Sequence, residues 1–173
     1  MHVPDLTSHL VRLRVPLGFL CGPVALWLAR PTWRTLAAGC LVSVVGEALR
    51  VWAAGHLQKG REVTQSGPYR FVAHPLYLGS AILGLGMAIA SARVIVALLV
   101  VVYFAAAVVP AMRAEERWLR ATFGDQYDAY RETRAAPASR HFSLARAMAN
   151  REYRAVAGLV LVAGLLALKA GWR

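Results

Sequence analysis

Apolar residues fall into five blocks, at residues 15–29, 35–57, 76–90, 94–112 and 155–170. A perpendicular helical crossing of a bilayer takes roughly 20 apolar residues, so the shorter blocks need flanking residues to complete a span. The first block is closed by Arg30-Pro31, and a helix that begins earlier lets Arg12 and Arg14 snorkel. The second carries Glu47 and Arg50 at i,i+3, the spacing of a mutual ion pair. Only Ser91-Ala92-Arg93 separates the third block from the fourth, which predicts a tight helical hairpin. The fifth is apolar apart from Lys169. The pattern predicts an all-α integral-membrane bundle of about five transmembrane helices.

Two polar stretches interrupt the blocks, at residues 58–74 and 113–154. With five spans, both lie on the side of the N-terminus. That side holds 15 of the 20 Lys and Arg residues: Arg12, Arg14, Arg50, Lys59, Arg61, Arg70 and nine arginines from Arg113 to Arg154. Positive charge accumulates on the cytoplasmic side of membrane proteins, so the N-terminus and both polar stretches are expected there.

Composition agrees with the pattern. The chain is 58% hydrophobic with a net charge of +11, and its mean hydropathy is +0.46. The arginines flank apolar segments instead of forming one soluble basic face, so the charge points to anionic lipid and away from nucleic acid. Cys21 and Cys40 both sit in apolar segments and read as small buried residues. No cluster of metal ligands is apparent, and no metal is expected. Arg12 and Arg14 before the first block mimic a signal peptide, but no small-x-small site follows, and a retained first helix is expected.

The chemistry-bearing residues lie in the polar stretches and their borders. In "GPYRFVAHPLYLG", residues 67–79, Gly67-Pro68 is a turn signal and Pro75 suits the first position of a helix. His74 is then the N-cap, beside free backbone donors that favour an anion. Tyr69 and Tyr77 either stack on a flat ligand or belong to the interfacial aromatic belt. Gly79, Gly84 and Gly86 recur in the third block. In a membrane helix such glycines most often mark close packing, and otherwise they leave room for a ligand.

Glu115-Glu116 follow the fourth block, one turn beyond Pro110. Glu116 and Arg120 have the i,i+4 spacing of a surface ion pair. Glu115 lies near the membrane boundary, where a carboxylate is costly without a partner, and it suits a ligand's hydroxyls or ammonium. Gly124 reads as a helix stop, followed by Tyr127, Tyr130, Arg131 and Arg134 at helical spacing. His56 suits either an interface or a pocket.

"SGPYRFVAHPLYLG" at 66–79, a glycine-bearing hairpin, then "EERWLRATFGDQYDAYRETR" at 115–134 resemble the isoprenylcysteine carboxyl methyltransferase family. More broadly they resemble the integral-membrane methyltransferases that include phospholipid N-methyltransferases. "RVWAAGHLQKG" at 50–60 resembles the stretch before the motif in bacterial members, which suggests a bacterial inner membrane.

The resemblance implies a single membrane domain over residues 1–173. Residues 46–137 would be its methyltransferase-like core, and residues 138–173 a linker and final membrane helix. It implies S-adenosylmethionine held near the cytoplasmic surface by His74, Pro75, Tyr77, Leu78 and Gly79, with Tyr69 nearby. Gly84 and Gly86 would lie where the hairpin nears the cofactor, with Glu115 and Glu116 as its carboxylates. Tyr130, Arg131 and Arg134 would serve the acceptor or catalysis. The implied reaction is methyl transfer to a lipophilic acceptor drawn from the membrane, an isoprenylcysteine-like carboxylate first. A phospholipid or small lipophilic amine or thiol, or a scaffold without activity, is the alternative. Oligomeric state is not legible.

Two departures stand out. Ala73 occupies the place of the family's arginine before His-Pro, removing a bidentate anion-binding fork. Arg70 is the nearest candidate to replace it. The family's late Val-Pro reads Ala135-Ala136-Pro137.

Overall fold

The computed structural model describes the backbone of residues 6–133 and 140–172 and the side chains at 16–132 and 140–172. Among the described residues the fold is all helical. The helices are α1 (Leu6–Leu28), α2 (Trp33–His56), α3 (Pro75–Ser91), α4 (Val94–Tyr103), α5 (Val109–Phe123), α6 (Asp125–Thr133), α7 (Leu144–Ala149) and α8 (Tyr153–Gly171). A 3₁₀ turn at Gly67–Arg70 precedes α3, and a π-helical turn at Phe104–Val108 joins α4 to α5. Among the described residues three helices are long and apolar enough to cross a membrane: Trp33–His56, the continuous Val94–Phe123, and Tyr153–Gly171. Two shorter apolar helices, Pro16–Leu28 and Pro75–Ser91, carry the remaining apolar blocks.

Local chemistry sets the boundaries. Thr32 and Thr35 form a reciprocal capping box, each hydroxyl accepting the other's backbone N–H, at 3.2 and 3.0 Å. His74 is the N-cap of α3 and Pro75 its first residue, where the missing N–H costs nothing. Ala92 turns the α3–α4 hairpin in the left-handed region at φ 52°. Gly124, at φ 48°, ends α5. The π turn has a cause in Pro110, which has no N–H to offer the Ala106 carbonyl and so breaks the α ladder there.

The tightest seam is α2 on α3. A Cβ on Gly46 would sit 2.6 Å from the Gly79 carbonyl oxygen, and one on Gly86 would sit 2.6 Å from that of Gly39. Lipid supplies no hydrophobic drive between helices, so this backbone contact is a source of association in itself. Gly79 and Gly86 therefore face α2.

The described residues of both polar stretches lie at one end of the bundle. There the last carbonyls of α2, which have no partners within the helix, are taken by residues 140–150. Asn150 Nδ2 donates to Ala54 O and Leu57 O at 2.9 and 3.0 Å. Arg146 donates to Gly55 O at 2.5 Å and Arg140 to His56 O at 3.2 Å, while Arg140 also grips Glu62 with both terminal nitrogens. At the opposite end Arg30 N donates to Ser91 O at 2.8 Å, and Lys169 Nζ caps the α1 carbonyls of Leu26 and Trp27 at 2.8 and 2.7 Å.

Candidate active site

The 3.6-residue period places His74, Tyr77, Leu78 and Ala81 on one face of the start of α3. Opposite them stand Phe104 and Val108 from the π turn and Val109 and Met112 from α5. With Val72, Ala73, Tyr130 and Arg131 these residues enclose a cavity of about 530 Å³ at the polar end of the bundle.

Two carboxylates brace its wall. Adjacent residues on a helix diverge by about 100°, so Glu115 and Glu116 reach different partners. Glu115 Oε2 accepts the Tyr77 hydroxyl at 2.7 Å. Glu116 Oε1 lies 3.1 Å from His74 Nε2 and 3.5 Å from an Arg131 terminal nitrogen. The surface pair expected between Glu116 and Arg120 is not what forms: Arg120 Nε pairs with Asp128 at 3.0 Å, because the turn at Gly124 brings α6 back beside α5.

Behind this wall, Tyr130 donates to the Tyr69 carbonyl at 2.7 Å, tying α6 to the 3₁₀ turn. Tyr69 and Tyr127 are buried, and burial raises both phenol pKa values, that of Tyr127 to about 12. His56 lines neither this cavity nor the second one described below. It is buried beneath the positive-φ turn at Gly67, with Nδ1 3.0 Å from Ser66 Oγ.

A second cavity, of about 560 Å³, runs among α1, α3, α4 and α8. Tyr77, Phe104 and Val108 line both cavities. Beside Tyr77, the second cavity is lined by Arg50 and Ser80, which are hydrogen-bonded to each other. Arg50 is more than half of an i,i+3 pair: Glu47 lies at 3.4 Å, but Glu152, at the start of α8, lies at 2.6 Å.

Of the residues singled out in the sequence, His74, Tyr77, Leu78, Tyr130 and Arg131 line the first cavity. Tyr69, Glu115 and Glu116 support it through the bonds above. Gly84 lines the second cavity. Gly79 and Gly86 are turned away into the α2 seam, and Pro75 is buried as the first residue of α3 without lining either cavity. Arg134 lies outside the described residues. Ala73 lines the first cavity, whereas Arg70 is exposed and lines neither, so it does not take up the missing arginine's place. The sequence reading missed Phe104, Val108, Val109 and Met112; Pro110 within an apolar run was the available signal for a shifted helical register.

No curated protein and no solved structure matches the chain. The phospholipid methyltransferase family matches residues 33–126, from the start of α2 to the start of α6, a span that contains Tyr77, Glu115 and the glycine seam. With more than half of its residues inside that match, the chain belongs to the phospholipid methyltransferase family, the integral-membrane methyltransferases related to the isoprenylcysteine carboxyl methyltransferases.

Proposed function

We propose that this chain is an S-adenosylmethionine-dependent methyltransferase that modifies a lipophilic acceptor in the membrane, with an isoprenylcysteine-like carboxylate as the favoured acceptor. The observation that carries the reading is the meeting of the two cavities at Tyr77, Phe104 and Val108. One has polar bracing and the other runs between membrane helices, so a water-soluble donor and a membrane-borne acceptor have separate ways to one point.

The first cavity fits the cofactor. Its volume is in the range of small-molecule sites. The rings of His74 and Tyr77, in edge contact at 5.9 Å, offer flat surfaces for a purine. Glu115 and Glu116 offer acceptors for ribose hydroxyls or an ammonium, and Arg131 a cation for a carboxylate. When bound, S-adenosylmethionine supplies a methyl group already activated on sulfur. The protein's own task is then alignment and exclusion of water. Tyr77, held by Glu115, orders the junction, and Phe104 and Val108 keep it apolar. Tyr130 acts as a positioning residue through Tyr69, and Arg131 faces the acceptor or the cofactor.

Arg131 lines one cavity and Arg50 the other, and both are already paired, Arg131 with Glu116 and Arg50 with Glu47 and Glu152, so the preference for a carboxylate acceptor rests on its chemistry. A carboxylate acceptor is nucleophilic at neutral pH and needs no general base. The second reading, methylation of an aminophospholipid, is favoured by the family's description and by the His74–Glu116 pair, which could take a proton from an ammonium. The bias of Lys and Arg toward the end bearing the first cavity supports a cytoplasmic orientation for it.

The test is titration of S-adenosylmethionine into detergent-purified protein, with His74→Ala and Glu115→Ala alongside, followed by labelled methyl transfer to prenylcysteine carboxylates and to aminophospholipids. Saturable binding that weakens at least about tenfold in both variants is expected, a loss of about 1.4 kcal/mol. Absence of binding by folded wild-type protein would leave a membrane scaffold that keeps the fold without the reaction. Unchanged binding by a folded Glu115→Ala protein would remove Glu115 from the site.

A further inference from the structure

Along α3 the second cavity is lined by Tyr77, Ser80, Gly84, Met87 and Ser91, one stripe at helical spacing from the first turn to the last residue. Those 14 steps at 1.5 Å span about 21 Å. With a volume of about 560 Å³ it is a slot long enough for a hydrocarbon chain, with Arg50, Ser80 and Tyr77 at its polar end.

Two glycines line this slot without a packing reason. Built on Gly22 of α1 or Gly158 of α8, a Cβ meets nothing within 4 Å, whereas on Gly39, Gly46, Gly79 or Gly86 it would strike a neighbouring helix. Glycine weakens a helix interior by roughly 1 kcal/mol relative to alanine. At Gly22 and Gly158 no close helix contact accounts for that cost, and what the missing side chains leave open is the slot itself. Both lie partway along the slot: Gly22 is about 12 Å nearer the polar end than Arg30, whose N–H meets the Ser91 carbonyl at the far end, and Gly158 is about 9 Å beyond Glu152, which pairs with Arg50 at the polar end. Both helices lie outside the family match at residues 33–126.

We infer that this slot receives a hydrocarbon chain of the acceptor, and that Gly22 and Gly158 are specificity-determining residues whose missing side chains admit chains long enough to pass them. The inference rests on the methyltransferase reading for the word acceptor, but chain binding is measurable without methyl transfer.

The probes are S-alkyl N-acetylcysteines of increasing chain length, bound to purified protein without methyl donor, with S-adenosylmethionine titrated separately. The variants are Gly22→Leu, Gly158→Leu and Gly164→Leu. Gly164 is also free of neighbours within 4 Å but does not line the slot, so it controls for adding leucine to α8. Wild-type and Gly164→Leu affinities are expected to rise with chain length. Gly22→Leu and Gly158→Leu should each lose the longer probes, at least about tenfold, with the shortest probe and S-adenosylmethionine unaffected. Gly22→Ala and Gly158→Ala should give smaller losses of the same long-chain probes, and they serve where a leucine variant fails to fold. Length profiles unchanged from wild type in folded Gly22 and Gly158 variants would overturn the inference even if methyl transfer proceeds. The expected profiles in a protein that does not bind S-adenosylmethionine would uphold the slot and defeat the methyltransferase reading.

Discussion

The Tyr77 hydroxyl donates to Glu115 at 2.7 Å, joining the first turn of α3 to α5 where the two cavities meet. A phenol donating to a carboxylate is a charge-assisted bond, stronger than one between neutral groups. Tyr77→Phe and Glu115→Ala should each weaken methyl-donor binding. In a double-mutant cycle the two should couple by about 1 kcal/mol or more, because either change alone breaks the same bond. The bundle should remain folded, since Glu115 is exposed. Additive effects on donor affinity would show that the bond does not organise the site.

Glycine positions that look alike in the sequence should respond differently. Gly86→Ala puts a methyl 2.6 Å from a backbone oxygen of α2, an atom that cannot yield without moving the helix. Gly84→Ala meets only the side chains of Val100 and Phe104, at 3.1 and 3.2 Å, which can shift slightly. Thermal unfolding in detergent should show Gly86→Ala destabilised by about 1–3 kcal/mol and Gly84→Ala by less. Equal losses would mean that the α2–α3 seam does not depend on backbone contact.

That contrast marks what the sequence could and could not tell. The apolar blocks located the helices because hydrophobic runs are a local signal, and Pro75 and Gly124 marked helix ends for the same reason. The motif around His74 and Tyr77 and the carboxylates at 115–116 do come together. Which face of α3 meets α2 depends on a partner about 40 residues away, so the spacing of Gly79, Gly84 and Gly86 could not separate the packing pair from the cavity glycine. The same holds for Arg50, whose i,i+3 neighbour was visible while its closer carboxylate, Glu152, lies 102 positions on. Residues 140–150, which carried no motif, hold the end of α2 through backbone carbonyls, and a backbone partner leaves no trace in composition.

Tyr127 carries a prediction about alkaline pH. Its ring is buried, and among the described residues its hydroxyl has no hydrogen-bond partner. Burial, reinforced by the negative charge of Glu116, raises its pKa to about 12, against about 10 for an unfolded tyrosine. The folded state therefore holds this proton more tightly than the unfolded state. The resulting stability is fully present below about pH 10 and is lost as pH rises toward 12. Tyr69 shifts in the same direction. Tyr127→Phe should leave the neutral-pH melting temperature equal or higher, because an unpartnered buried hydroxyl costs about 1–3 kcal/mol, and should flatten the alkaline decline. A clear fall in melting temperature at neutral pH would mean that the hydroxyl is bonded after all. Tyrosinate absorbance of the folded protein, wild type against variant, reads the titration directly.

Arg50 holds two buried carboxylates at once, Glu152 at 2.6 Å and Glu47 at 3.4 Å, and it ties α2 to α8 and, through Ser80, to α3. Removing one member of a buried ionic group costs more than removing the whole group, since the survivors keep their desolvation penalty without the attraction. Arg50→Leu leaves two carboxylates inside the bundle and should destabilise it by about 3–5 kcal/mol. Adding Glu47→Gln and Glu152→Gln removes the stranded charges and should recover most of that loss, although the polar end of the slot stays altered. Melting temperatures of the single and triple variants in detergent give the comparison. If Arg50→Leu alone costs no more than about 1 kcal/mol, the pairs behave like solvated surface ion pairs, and the charge group does not hold α8 to the core.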